Sequence, residues 1–384
     1  MLSEGFLSFS VSAVGDISFQ GVSLREAKSV VFDSVRTVFE GSDIVIANLE
    51  CPLIAEREGT PVVGKCTLRG STAWAETMKA AGIQLVSLAN NHMMDFGEAG
   101  LLSTVSELDR VGLWHVGAGR NIEEACRAKV VTVAGKRLAV LARSSVVVAS
   151  PSYAGVNIPG VARLDVEETV EAIKECKRAA DYVVLLLHWG IEEYRYPAPE
   201  QRRWAERFVD AGLDLLLGHH PHVIQGLEKI NNSLVHYSAG NFVFDEFNWS
   251  FINRDGEVQE AVSEMSGRNR QGMVLRVEFE ASGLKYKAIQ TKIEPSGAVL
   301  VDESEARARD FEALCKRLNW PAYRFWWPVY AAFREIDLRI LPLVRGKFTW
   351  KKIKKIRPSH LTQLAGALKR SLRIASEKST NPYE

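Results

Sequence analysis

The feature that most restricts what this chain can become is a repeated alternation. Short runs rich in Val, Ile and Leu at residues 6–14, 44–49, 84–89, 138–142, 182–187 and 213–217 are separated by longer segments of helical period at 24–39, 73–81, 101–111, 166–179 and 200–211. Apolar runs of that length, without polar alternation, read as strands buried on both faces. Gly82 and Gly112 directly follow two of the helical segments and stop them. Strands buried on both faces need cover on each side, so the alternation predicts a layered α/β fold.

After Gly226 the pattern changes. Residues 233–239, 273–280 and 284–292 read as antiparallel strands, the last two joined by a tight turn at 281–283. Residues 248–270 are polar with few large apolar side chains and read as a loop. From Glu303 onward the chain carries Trp320, Trp326, Trp327 and Trp350, then Lys351, Lys352, Lys354 and Lys355. The expected division is a body at 1–302 and a helical, Trp-rich and then basic extension at 303–384.

Charge supports that division. The net charge of +1 conceals 11 Lys+Arg against 2 Asp+Glu in residues 345–384, a net of +9, which leaves −8 for the remainder. Leu361, Leu364, Ala365, Leu368 and Leu372 fall on one helical face, with Lys369, Arg370 and Arg373 beside or opposite it. Such a segment either docks its stripe on the body or meets an anionic membrane surface. No nucleic-acid recognition module accompanies the charge, so no nucleic acid is expected as a partner. The five cysteines are odd in number, irregularly spaced and without a CxxC, which fits free thiols in a reducing compartment. Cys51, directly after Glu50, either lines a site or, the better reading, is a small buried apolar residue. The N-terminal stretch carries Glu4 and no basic n-region, so it reads as a lead-in to a strand and not as a signal peptide. The expected location is the cytoplasm, peripheral to the membrane if the tail binds lipid.

The chemistry gathers where the apolar runs end. In open α/β sheets, ligands bind beyond the carboxyl ends of the strands. Five runs here end in metal-ligating types: Val14-Gly15-Asp16, Ala47-Asn48-Leu49-Glu50, Ala89-Asn90-Asn91-His92, Leu187-His188-Trp189-Gly190 and Leu217-Gly218-His219-His220-Pro221-His222. Asp, Glu, Asn and His together suit borderline divalent ions such as Mn²⁺, Zn²⁺ or Fe²⁺. His115, His236 and His360 lack such company and read as structural.

These segments also carry a family resemblance. LANNHMMDFG at 88–97, HWGIEE at 188–193, GHHPHVIQ at 218–225 and HYSAGNFVFD at 236–245 resemble the bacterial capsule-synthesis protein CapA family, of the calcineurin-like metallophosphatase superfamily. VGDISF at 14–19 and ANLECPL at 47–53 fit its opening motifs, and the resemblance covers residues 8–295. It implies a metallophosphatase-like fold, two mixed β-sheets flanked by helices, for the body, to which the composition adds the basic helical extension. It further implies that Asp16 and His222 serve a first metal, that Glu50 bridges, and that Asn91, His188 and His220 serve a second. His92 matches the superfamily's acid for a leaving oxygen. The superfamily's Asp-x-His reads Asp16-Ile17-Ser18 here, so one imidazole of the first position is missing.

Around this set, Asp95 either orients His92 or Asn91 or caps the next turn, and Glu192 either supports His188 or does the same. Arg69 is either an anion clamp or a solvated surface residue, and Asn241 either a site-lining amide or a turn residue. The resemblance implies metal-dependent hydrolysis or transfer on an anionic small molecule or polymer, a phosphoester or glutamyl-type substrate, in capsule or poly-γ-glutamate synthesis. A non-catalytic subunit of a polymer-assembly system is the alternative.

Overall fold

The computed structural model describes residues 9–22, 30–146, 152–252, 258–280 and 282–340. The first sheet runs in the order β18 (Val299–Val301), β17 (Gly283–Ile293), β16 (Gln271–Glu280), β1 (Phe9–Ile17), β2 (Ile44–Leu49), β3 (Leu85–Ser87) and β4 (Trp114–Val116), with β13 (Asn241–Val243) beside the end of β1. Strands β1 to β4 are parallel, and β16 to β18 continue the sheet antiparallel. The second sheet is β11 (Leu227–Ile230), β12 (Ser233–His236), β10 (Leu215–His219), β9 (Tyr182–His188), β7 (Lys136–Ser144) and β6 (Lys129–Val133). A short bridge joins β5 (Ala118–Gly119) to β8 (Gly160–Val161).

Burial with period two shows how the layers stack. On β9, Val184 and Leu186 enter a core shared with Phe9, Val11 and Ala13 of β1 and Ile44 and Ile46 of β2, so the two sheets face each other. Val183, Leu185 and Leu187 point the other way, against helices Val166–Ala179, Pro199–Asp210 and Tyr323–Glu335. Val45, Ala47 and Leu49 likewise turn outward from the first sheet toward helices Asp33–Phe39, Trp74–Ala81 and Gly97–Val111. The result is helix, sheet, sheet, helix. At roughly 1.5–3 kcal/mol for each large apolar side chain buried, three such cores fix the strand register.

That register determines which way the polar strand ends point. On β2 the inward parity of Ile44 and Ile46 continues through Asn48 to Glu50, and on β9 that of Val184 and Leu186 continues to His188. On β1 the parity would fail, because Phe9, Val11 and Ala13 face inward and an unbroken strand would turn Asp16 outward. A bulge corrects it: Ala13 pairs with Ile46 and Asp16 with Asn48, three steps on β1 against two on β2. The bulge falls at Gly15, where an added Cβ would lie 2.0 Å from the main-chain oxygen of Gly240. Only glycine lets β13 approach there.

The expected strands form, β1, β9 and β10 running one to three residues further into the ligand segments, while β3 and β12 end at Ser87 and His236, short of the expected 89 and 239, and residues 6–8 lie outside the described residues. The helix expected at 24–39 occupies Asp33–Phe39; residues 23–29 lie outside the described residues. The loop expected at 248–270 is corrected. It contains an antiparallel hairpin of β14 (Phe247–Ile252) and β15 (Val258–Ser263). Phe247 joins the outer core of the first sheet while Val258 and Val262 stay exposed, so the ribbon lacks the apolar density of a core strand. In the extension, helix Glu305–Leu318 packs Phe311 and Leu314 into the core between the sheets. The basic run 351–355, the leucine stripe 361–372, Trp350 and His360 lie outside the described residues.

Candidate metal centre

Two arms meet at the carboxyl edge of the cleft between the sheets. The first sheet supplies Asp16 from β1, Glu50 just past β2 and Asn91 from the turn after β3. Asp16 and Glu50 are fully buried, and Asn91 nearly so. Asn48 Nδ2 donates to Asp16 Oδ1 at 2.8 Å, and the His220 amide donates to Asp16 Oδ2 at 3.2 Å. Among the described residues, neither carboxylate oxygen of Glu50 has a hydrogen-bond partner.

The second sheet supplies His188, at the end of β9, and His220 and His222, in the turn after β10. His219 pairs with His188 across β10 and β9, and its Nε2 reaches the main-chain oxygen of Val14 at 3.2 Å, tying the sheets together. His220 and His222 both adopt left-handed backbone, with φ of 95° and 56°. Each such residue costs about 1–3 kcal/mol and persists only where its surroundings over-determine it. Here Gly218 lies against Tyr237, the Glu193 amide donates to the Pro221 oxygen at 2.8 Å, and Asn269 Nδ2 donates to the His222 oxygen at 3.2 Å. Both ring nitrogens of His220 are without partners among the described residues.

The arms bring six of the expected residues together. Nitrogen–oxygen separations are 3.5 Å for His188 Nε2 to Glu50 Oε1, 3.6 Å for His222 Nε2 to Glu50 Oε1 and 3.6 Å for His222 Nδ1 to Asp16 Oδ2. Asn91 Oδ1 lies 2.7 Å from His188 Nε2. Ligating atoms of Glu50, His220 and His222, and those of Asp16, Glu50 and His188, fall within 4.8 Å of one another. Glu50 is common to both groups. Two ligands each about 2.1 Å from one tetrahedral ion stand about 3.4 Å apart, close to the 3.5–3.6 Å found here and too long for strong hydrogen bonds. The donor set therefore fits divalent ions.

The electrostatics point the same way. Burial pushes the Glu50 carboxyl well above its usual range, with Asp16 adding to the rise and His222 opposing it. Burial lowers the His222 imidazole, but Glu50 and Asp16 overcome it and raise its pKa to about 9, which marks a field that draws positive charge. Burial, then the neighbouring imidazoles, holds His188 and His220 well below the ordinary value, so both stay neutral with a lone pair to give.

His92 stands beside this group. Its Nδ1 donates to Asp95 Oδ2 at 2.7 Å, and Asp95 also accepts from the Leu68 amide at 2.6 Å. Asp95 thus orients His92. The other Asp95 oxygen pairs with Lys65, a buried lysine whose Nζ also donates to the Asn91 main-chain oxygen at 2.6 Å. Arg69 donates to the main-chain oxygens of Glu56 and Glu58 at 2.6 and 2.7 Å and lies 4.3 Å from the Phe96 ring centre, so it braces that turn. Glu192 is exposed, and the His188 ring is flanked by Asn48 and Asn91. Asn241 lines the site, its Oδ1 2.9 Å from His222 Nδ1. His236 is buried, edge-on to Phe311 and pushed by burial to about 3, and His115 pairs with Asp109 at 3.2 Å.

Sequence reasoning missed Asn48, Lys65 and Asn269. Asn48 was available, since i and i+2 of a strand share a face and Glu50 was already chosen. For Lys65 and Asn269, in polar stretches without periodicity, no local signal existed.

Residues 10–246 match the family described as Bacterial capsule synthesis protein PGA_cap. The chain is 33% identical over 243 residues to the PGA biosynthesis protein CapA of Bacillus subtilis, covering 62% of this chain and 63% of that protein. It is 34% identical over 247 residues to the capsule biosynthesis protein CapA of Bacillus anthracis, covering 62% and 60%. The chain thus spans about three fifths of the length of these curated relatives. Among solved structures, a putative 5'-nucleotidase from Staphylococcus aureus is similar with a TM-score of 0.46 at 13% identity, covering 80% of this chain and 58% of that one.

Proposed function

This chain belongs to the bacterial capsule synthesis protein family, and from that premise we propose that it is a divalent-metal-dependent hydrolase or transferase acting on an anionic substrate in capsule-type polymer synthesis. One observation carries the reading. Glu50 is fully buried with neither oxygen hydrogen-bonded among the described residues, at the point shared by two groups of ligating atoms. An uncompensated buried carboxylate costs several kcal/mol, and cations are the natural compensation. Asp16, Glu50 and His222 would hold one ion, and Glu50, Asn91, His188 and His220 the other. Bound there, such ions supply Lewis acidity for an attacking water and neutralise charge on a phosphoester or glutamyl-type anion.

The chain's own groups do the rest. Asp95 fixes the His92 tautomer with the proton on Nδ1, which leaves Nε2 as the atom that exchanges a proton with a leaving oxygen. Burial holds His92 below its ordinary value while Asp95 pulls it back up. Lys65 holds Asp95 and the Asn91 backbone at once, so the proton-transfer group and a metal ligand are set by one side chain. The Probable polyglutamine synthesis accessory protein Rv0574c of Mycobacterium tuberculosis, 31% identical over 214 residues, bears a name that fits a non-catalytic role. In this chain the assembled ligands and the oriented His92 favour the enzyme.

The test is elemental analysis of purified protein together with hydrolysis of an aryl phosphate and an aryl phosphodiester. Wild type is expected to carry a transition metal and to turn over one substrate. His188→Ala and His220→Ala should each lose most of the metal. Equal metal content in all three proteins would sink the assignment, and metal without turnover on any anionic ester would favour the accessory role.

A further inference from the structure

We propose that the outward face of helix Tyr323–Glu335, with the turn after it, is a seat for an anionic lipid surface. The inward face of this helix, Tyr323, Trp327 and Ala331, is buried in the outer core of the second sheet. The outward face carries Phe325, Val329, Phe333 and Ile336, exposed by 67%, 54%, 68% and 38%. Their spacing of four, four and three places them in one stripe. The neighbouring helix Pro199–Asp210 instead presents Arg203, Glu206 and Arg207 to solvent. A helix that is apolar on the side turned away from its own core has a second apolar environment to meet.

The surroundings of the stripe say which. Arg324 lies 4.5 Å from the Phe325 ring centre, and Arg317 sits 4.9 and 5.0 Å from the rings of Trp320 and Trp326. Guanidinium groups stacked beside exposed Trp and Phe suit a boundary where phosphate headgroups meet acyl chains. The chain then continues into residues 345–384, with 11 Lys+Arg against 2 Asp+Glu, a charge complementary to anionic lipid. A second protein or another copy of this chain would bury the stripe without calling for that charge. The helix has 13 residues, about 20 Å, too short to cross a bilayer, and no helix among the described residues is long and apolar enough to do so. The geometry is that of a helix lying on the surface, its aromatic side chains directed into the headgroup boundary.

The experiment is co-sedimentation of the full chain with vesicles of phosphatidylcholine alone and of equal parts phosphatidylcholine and phosphatidylglycerol. Binding is expected to the anionic vesicles, about tenfold or more above the neutral ones, and to weaken as salt is raised. The Phe325→Ser/Phe333→Ser variant should fall about tenfold on anionic vesicles with an unchanged melting temperature, because both rings are exposed. Replacing Lys351, Lys352, Lys354 and Lys355 by Gln is a second, independent variant and should remove most of the preference for phosphatidylglycerol. Failure of wild type to pellet with anionic vesicles at low salt would overturn the proposal. So would binding unchanged in both variants. A concentration-dependent dimer, abolished by Phe325→Ser/Phe333→Ser in a protein that ignores vesicles, would assign the stripe to a second copy instead.

Discussion

The two arms of the centre are built in opposite ways. The first-sheet arm places its ligands on and just beyond regular strands and settles them by hydrogen bonds that need no ion: Asn48 to Asp16, the His220 amide to Asp16, Lys65 to the Asn91 oxygen. The second-sheet arm puts two of its three imidazoles on left-handed backbone and leaves the His220 nitrogens without hydrogen-bond partners among the described residues. The ligating side chains of the first arm are held by polar contacts, whereas in the second close packing and hydrogen bonds to main-chain oxygens hold a strained turn. Carboxylates are costly to bury alone and so come with donors attached, whereas neutral imidazoles are cheaper to bury and can await a ligand. The difference also explains why Glu50, a carboxylate treated like the imidazoles, stands out.

Breaking the close packing should have the largest effect. Gly15→Ala places a Cβ 2.0 Å from the Gly240 oxygen, and Gly218→Ala places one 1.9 Å from the Tyr237 oxygen. Backbone must move in either case, and a loss of about 5 kcal/mol, or of folded protein altogether, is expected in urea denaturation. Wild-type midpoints would show that the sheets tolerate a wider spacing at their polar edge.

Lys65→Met probes the hydrogen-bonded arm directly. It strands Asp95 as a buried charge, and the expected cost is about 3–5 kcal/mol. Adding Asp95→Asn should recover much of that loss, so a double-mutant cycle with little coupling would remove the ion pair from the account.

Asn48→Ala leaves both sheets intact but frees Asp16 and one flank of His188. Metal affinity should fall by about 10–100-fold with the melting temperature of the metal-free protein little changed. Titration calorimetry on stripped protein reads this, and an unaltered affinity would show that Asp16 needs no second support. The same titration on wild type should give two unequal sites, the weaker being the one with Asp16 and His222 and no Asp-x-His imidazole.

The smallest effect concerns strain. His220→Gly and His220→Ala both delete the candidate ligand, but glycine tolerates φ of 95° where alanine does not. Metal-free His220→Gly should therefore exceed His220→Ala by about 1 kcal/mol. Equal stability would mean that the turn relaxes once the imidazole is gone.

Much of the centre was legible before any coordinates. Asp16, Glu50, Asn91, His188, His220 and His222 stand where apolar runs stop, and a strand's end is visible as a change of residue type. Lys65 was not legible, because its role depends on a non-periodic loop folding back over Asp95, thirty positions later in the chain. The hairpin β14–β15 was misread for a related reason: pairing within a polar ribbon satisfies backbone groups without needing the apolar alternation that marks a core strand.

By itself the sequence determined the layered α/β class, the order of the main buried strands and helices and the chemical character of the strand ends, because period and composition are local properties of the chain. Tertiary structure alone decided that those ends converge. The bulge at Gly15 adds one residue to β1 and so turns Asp16 from the helix side to the cleft, and that depends on how closely β13 packs rather than on any residue type. The pairing of His188 with His219, whose Nε2 reaches the Val14 oxygen at 3.2 Å, ties the second arm to the first. Distances between residues about two hundred positions apart are fixed by sheet register and core packing, which no local pattern encodes.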